Sequence, residues 1–93
     1  MDANLPEQAL WQKFLAGDDE SFSTLYHSYF SPLYHYGFKI YQDDIFIEDC
    51  LHDFFLYLYN HRQNLSPVRS LKAYLFRSFR RTVLRKLEKM RNS

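Results

Sequence analysis

The stretch "SLKAYLFRSFRRTVLRKLEK", residues 70–89, decides the fold. Leu71, Tyr74, Leu75, Phe79, Val83 and Leu87, with Met90 just beyond, recur at steps of three and four, the period of a helix with one buried side. Ser70 suits the N-cap, as does Ser66 with Pro67 behind it at the first helical position. With the core stripe running through Leu75 and Phe79, the row Arg77–Arg81–Arg85–Lys89 faces outward. Like charges at i, i+4 repel by about 0.2–0.5 kcal/mol per pair. Only Glu88 is available to offset them, so this helix holds its cations together against repulsion.

The same period recurs upstream. A first helix is expected over about residues 6–16, opened by Pro6, stopped by Gly17 and apolar along Leu10, Trp11, Phe14 and Leu15. A second opens after Asp18 or Asp19, with Glu20 in its first turn, and carries Phe22, Leu25, Tyr26, Tyr29, Phe30, Leu33, Tyr36, Gly37 and Ile40. Pro32 inside it is expected to kink or divide the helix near residues 29–31. A third begins at Asp43 and runs to about Asn60 along Ile47, Cys50, Leu51, Phe54, Phe55 and Leu58. "NHRQNLSPVRS", residues 60–70, is polar and holds a proline, so it is an ordered loop. Strand alternation is nowhere sustained. The chain is expected to be a single all-α domain over residues 1–93, a small bundle of about four helices with short connections.

Composition narrows the function. Ninety-three residues make at most one domain with one modest core. The single cysteine, Cys50, excludes an intrachain disulfide and fits a reducing compartment; on the third helix's buried stripe it is core. The N-terminal "MDANLPEQAL" does not have the pattern of a signal peptide, and no run approaches the ~18 apolar residues of a membrane span. The cytoplasm is the simplest location. The net charge of +1 conceals a division: ten acids against two bases before Arg62 give −8, and ten bases against one acid from Arg62 onward give +9. Such asymmetry suggests a polyanion partner for the basic end and a different partner for the acidic end.

Two constellations carry the chemistry. The first is the basic row, flanked by Arg80 and Lys72. Its repulsion becomes an advantage when phosphates release their counterions to it, and arginine also grips phosphate bidentately. The competing explanation is a solvated helix whose cations complement its own C-terminal dipole. The adjoining loop offers His61, Arg62, Gln63, Asn64, Ser66 and Arg69, groups that read base edges or line a pocket for an unstacked base, or else simply cap turns. The second constellation is Asp49–His52–Asp53 in "EDCLHDFFLYLY", three side chains on one helical face. A metal site lacks a familiar ligand spacing, and a hydrolytic carboxylate pair would need a pocket and a substrate. Acids beside bulky aromatics suit a protein interface instead. His27 and His35 sit on a tyrosine-rich helix as surface residues. No glycine-rich phosphate loop and no Ser/His/Asp signature is found, so neither an enzyme nor a cofactor is expected.

The segments "GDDESFSTLYHSYFSPLYHYGFKI", "EDCLHDFFLYLY" and "SLKAYLFRSFRRTVLRKLEK" resemble, in order and spacing, the second conserved region of bacterial sigma factors, nearest the small extracytoplasmic-function type. The resemblance covers roughly residues 10–91. It implies that the third helix docks on the clamp helices of the largest catalytic subunit of RNA polymerase. The residues implied are Asp49, His52, Asp53, Leu56 and Tyr59, with His52 standing where the family usually has Gln. It implies that the loop and fourth helix recognise the promoter's minus-ten element, capture a flipped base and hold the melted strand. The positions implied there are Asn60, His61, Arg62, Asn64, Arg69, Lys72, Arg77, Arg80, Arg81 and Arg85. Arg80–Arg81 stands for the family's Arg–Asn, and Arg85 for a later Asp; both changes add positive charge. The family's second domain, a helix-turn-helix of region 4, has no counterpart in this chain, which is then a fragment or a stand-alone member. Two other readings stay open: a diverged module that binds polymerase or an anti-sigma factor without reading DNA, and a generic nucleic-acid binder.

Overall fold

The computed structural model describes residues 5–93. Residues 1–4, part of the segment read as lacking a signal peptide and including Asp2 of the acidic count, lie outside them. Four helices follow one another: α1 (Leu5–Leu15), α2 (Asp19–Ile40), α3 (Asp44–His61) and α4 (Leu71–Asn92), with one 3-10 turn at Arg62–Asn64. No strand occurs among the described residues. The expected all-α bundle is the observed one.

Local chemistry explains where the helices stop and start. Gly17 adopts φ 103°, a left-handed conformation that glycine enters without steric penalty. Its N–H reaches the Phe14 carbonyl at 3.0 Å and that of Asp18 reaches Lys13 at 3.0 Å, which satisfies carbonyls left over at the end of α1. Asp18 then opens α2. Its carboxylate accepts a 2.5 Å bond from the Ser21 hydroxyl, which holds the carboxyl below the usual range. Asp43 caps α3 by accepting from the Phe46 N–H at 3.0 Å, and Ser70, not Ser66, caps α4 by accepting from Ala73 at 3.2 Å.

Pro32 does not divide α2, which continues unbroken through it. The proline and Ser28, whose carbonyl loses its i+4 donor, are both exposed, while Tyr29, Leu33 and Gly37 are buried. The lost hydrogen bond therefore falls on the side open to water, which can solvate the freed carbonyl.

The core draws on every helix: Trp11 and Phe14 from α1, Leu25 and Leu33 from α2, Ile47, Leu51, Phe54 and Leu58 from α3, and Leu71, Leu75, Phe79 and Val83 from α4. Gly37 lets α2 approach α3 and α4 closely. A methyl group there would lie 2.9 Å from Phe79 Cε2 and 3.1 Å from Ile47 Cγ2. α3 and α4 run antiparallel: the 3-10 turn and loop join them at one end, Phe54 meets Phe79 at 5.5 Å midway, and Lys86 reaches Asp49 near the other. Met90, expected on the apolar side of α4, is half exposed, because residues 88–93 all lie open to solvent.

Candidate nucleic-acid and protein interfaces

The buried row of α4, Leu75–Phe79–Val83, has the same i, i+4 spacing as Arg77–Arg81–Arg85, displaced by two residues. At about 100° per residue, two residues turn about 200°, so the cations lie opposite the core along the helix. Arg77, Arg81, Arg85 and Lys89 are all exposed, and none enters a salt bridge among the described residues. Arg80 and Lys72 are exposed as well, Lys72 with its ammonium 5.9 Å from the Phe76 ring.

The loop presents polar side chains on a tethered backbone. Asn60, His61, Gln63, Asn64, Ser66 and Arg69 are exposed, whereas Leu65 and Val68 pack against the core. From α1, the buried Trp11 donates its indole N–H to the Ser66 carbonyl at 3.0 Å, and Gln8 donates to the Arg69 carbonyl at 3.1 Å. Arg62 stands apart from the other loop residues. Its guanidinium lies 3.1 Å from Asp19 and 4.5 Å over the Tyr59 ring, and the Tyr59 hydroxyl donates to the same carboxylate at 3.2 Å. Arg62 therefore helps lock α3 to the start of α2. Tyr59 belongs to that lock, packed on Phe22 at 5.0 Å, and is set apart from the exposed residues of α3.

Those residues are Asp49, His52, Asp53 and Leu56, all exposed along one stripe of α3. Ile45, one turn earlier and 80% exposed, extends the stripe with a large apolar side chain. The acids are not free. Lys86 of α4 reaches Asp49 at 2.6 Å and also bonds Asp53. Its hydrogen bond holds the Asp49 carboxyl below the usual range. Burial alone would lower the Lys86 ammonium, but the two carboxylates outweigh it and raise the net value. Burial pushes the Cys50 thiol up to about 11 on the inner side of the same helix, as befits a core residue.

Beside this bridge, a groove of about 380 Å³ opens between α3 and α4. Tyr57 and Tyr74 line it together with Ser78, and Arg81, Arg85 and Lys89 line it from the cation row. Lys86, Ile45, Tyr57 and Tyr74 escaped the sequence reading as site residues. Lys86 and Tyr57 become identifiable only once the antiparallel register sets α3 against α4. Ile45 carried a signal, an apolar residue two positions off the buried stripe.

Among the described residues no His, Cys, Asp and Glu cluster could hold a metal ion, and no helix is long and apolar enough to cross a membrane. His27 and His35 are exposed, as expected. No curated protein and no solved structure matches the chain. A family model does: sigma-70 region 2 matches residues 25–92, from the second turn of α2 through the end of α4, well over half of the sequence. With most of α2, the acidic α3, the tethered loop and the cationic α4 inside that match, the chain belongs to the sigma-70 region 2 family, a sigma-factor-like domain for RNA polymerase binding and promoter recognition.

Proposed function

We propose that this domain is of the extracytoplasmic-function type and divides its two tasks between α3 and α4. The exposed stripe Asp49–His52–Asp53–Leu56 meets the clamp helices of polymerase, with Ile45 adding apolar contact at its edge. The loop from Asn60 to Arg69 takes a flipped base of the minus-ten element, and Lys72, Arg77, Arg80, Arg81 and Arg85 follow the melted strand. The observation that carries this reading is the unpaired cation row held opposite the core of α4. A row of like charges costs stability in isolation and is offset only when an anion lies along it.

The mechanism is binding without catalysis. Polymerase docking places the loop and α4 beside the duplex. An unstacked base reaches the loop only when flipped, so its contacts, about 1–3 kcal/mol per stacked base, favour the open strand over the duplex. Trp11 and Gln8 hold the loop backbone in place beforehand, which lowers the ordering cost of capture.

The test is a fluorescence titration with single-stranded minus-ten oligonucleotides at two salt concentrations, alongside binding to polymerase core. Arg81→Glu is expected to abolish oligonucleotide binding and spare polymerase binding. Leu56→Arg, at a position 58% exposed in the free domain, is expected to do the reverse. Loss of the same partner in both variants would refute the division. Absence of oligonucleotide binding at low salt would make the domain a protein-interaction module that engages polymerase or an anti-sigma factor.

A further inference from the structure

We infer that the groove between α3 and α4 is a nucleoside-phosphate site that holds one nucleotide unit of the single strand, its base against Tyr57 and its phosphate among Arg81, Arg85 and Lys89. This rests on the reading of α4 as a strand-binding face, and it adds a second nucleotide position beside the loop. The groove's volume of about 380 Å³ falls within the range of small-ligand clefts, about 300–1,000 Å³.

The walls suit the two halves of a nucleotide. Tyr57 is half exposed, an unusual state for a large aromatic ring with no partner across the groove. The His61 ring stacks on it at 4.2 Å and 24°, and His61 Nδ1 lies 3.0 Å from the Tyr57 carbonyl, which fixes the ring's orientation. A base laid on the other face would continue a stack that already exists, so little side-chain freedom is lost on binding. Tyr74, packed on Trp11 at 5.5 Å, forms a fixed opposite wall.

The cations divide in the same way. Lys86 and Asp53 also line the groove, but they are engaged with each other, and Lys86 with Asp49 as well. Arg81, Arg85 and Lys89 carry no such partner among the described residues, so the phosphate charge falls to them. An acidic peptide would satisfy these cations and leave the tyrosine ring unused. A nucleoside phosphate uses both. Because every base has a stacking face, this position selects single-stranded nucleotide over duplex and not one base over another.

The experiment uses the full chain and single-stranded oligonucleotides in which 2-aminopurine replaces one base at a time. One position is expected to be quenched on binding. Tyr57→Phe retains the quenching; Tyr57→Leu abolishes it and weakens binding about tenfold, within the contribution of one stacked base. Thermal melts of both variants verify the fold. Unchanged quenching and affinity in Tyr57→Leu would overturn the inference. A second arm uses 2-aminopurine deoxyriboside 5′-phosphate alone. If it is quenched in a Tyr57-dependent way while oligonucleotides do not bind even at low salt, the strand reading of α4 fails and the groove takes a free nucleotide. If neither ligand is quenched, the groove is no nucleotide site.

Discussion

Lys86→Met removes the bridge between α4 and the acidic stripe while retaining an unbranched side chain that packs like the lysine stem. In the folded domain the Lys86 side chain is 26% exposed, and its partners Asp49 and Asp53 are 64% and 52% exposed. A charge-assisted hydrogen bond contributes about 1.5–3 kcal/mol when shielded, and an exposed ion pair about 0–1 kcal/mol. Two bonds from a mostly covered ammonium to mostly wet carboxylates lie between these limits, so the loss is about 1–2 kcal/mol in total. Part of that is the i, i+4 repulsion between Asp49 and Asp53 that Lys86 now offsets. For a domain of this size each kcal/mol moves the midpoint about 4–8 °C, so the variant should melt roughly 5–15 °C lower by far-UV circular dichroism at neutral pH. The sign with pH follows from the carboxyl. Asp49 titrates below its ordinary value, so the bridge contributes fully above the ordinary carboxyl range and is lost as pH falls through the lowered value. Lys86 titrates above its ordinary value, so the same contribution is lost again as pH rises through that raised value. The gap between variant and parent should therefore close in acid and narrow in about 0.5 M salt. A variant that melts with the parent at neutral pH, or a gap indifferent to both pH and salt, would refute the bridge as a stabilising element.

Trp11→Phe retains a buried ring and removes the N–H that holds the Ser66 carbonyl. Its preference for minus-ten over scrambled oligonucleotides should shrink severalfold with an unchanged salt slope, and amide exchange over residues 65–70 should quicken; an unchanged preference would show that α1 does not position the loop. Gly37→Ala gains about 1 kcal/mol of helix propensity but places a methyl group 2.9 Å from the fully buried Phe79 ring, for a net loss of about 1–2 kcal/mol in urea denaturation. Phe79→Leu in the same background should recover part of that loss, and strict additivity of the two changes would deny the contact.

The four helices were legible because each has its own period and its own stops: Gly17 after α1, Asp43 before α3 and Ser70 before α4. Pro32 does not divide α2 because a proline's effect depends on which side of the helix it occupies, and a proline over water leaves no buried carbonyl unpaired. The outward cation row was legible because the core stripe of α4 is long enough to fix its opposite side. What could not be read was anything that depends on which helix lies against which. Lys86 is one base among ten in the composition, yet the antiparallel register makes it the partner of Asp49 and Asp53. Arg62 looks like a loop cation in the sequence, yet Asp19, forty-three residues away, holds it. The tether from Trp11 to Ser66 spans fifty-five residues and left no local trace.

The salt dependence of single-strand binding tests the cation row most directly. Each phosphate contact adds about 0.7 to the slope of log affinity against log salt for a single strand; with Arg81, Arg85 and Lys89 sharing one phosphate and Arg77 holding another, converting the four together to glutamine should flatten that slope by about 1.4. At low salt the quadruple variant should bind far more weakly than the parent, with the two converging as salt rises and polymerase binding preserved. A parent and variant with the same slope would contradict a DNA backbone lying along α4.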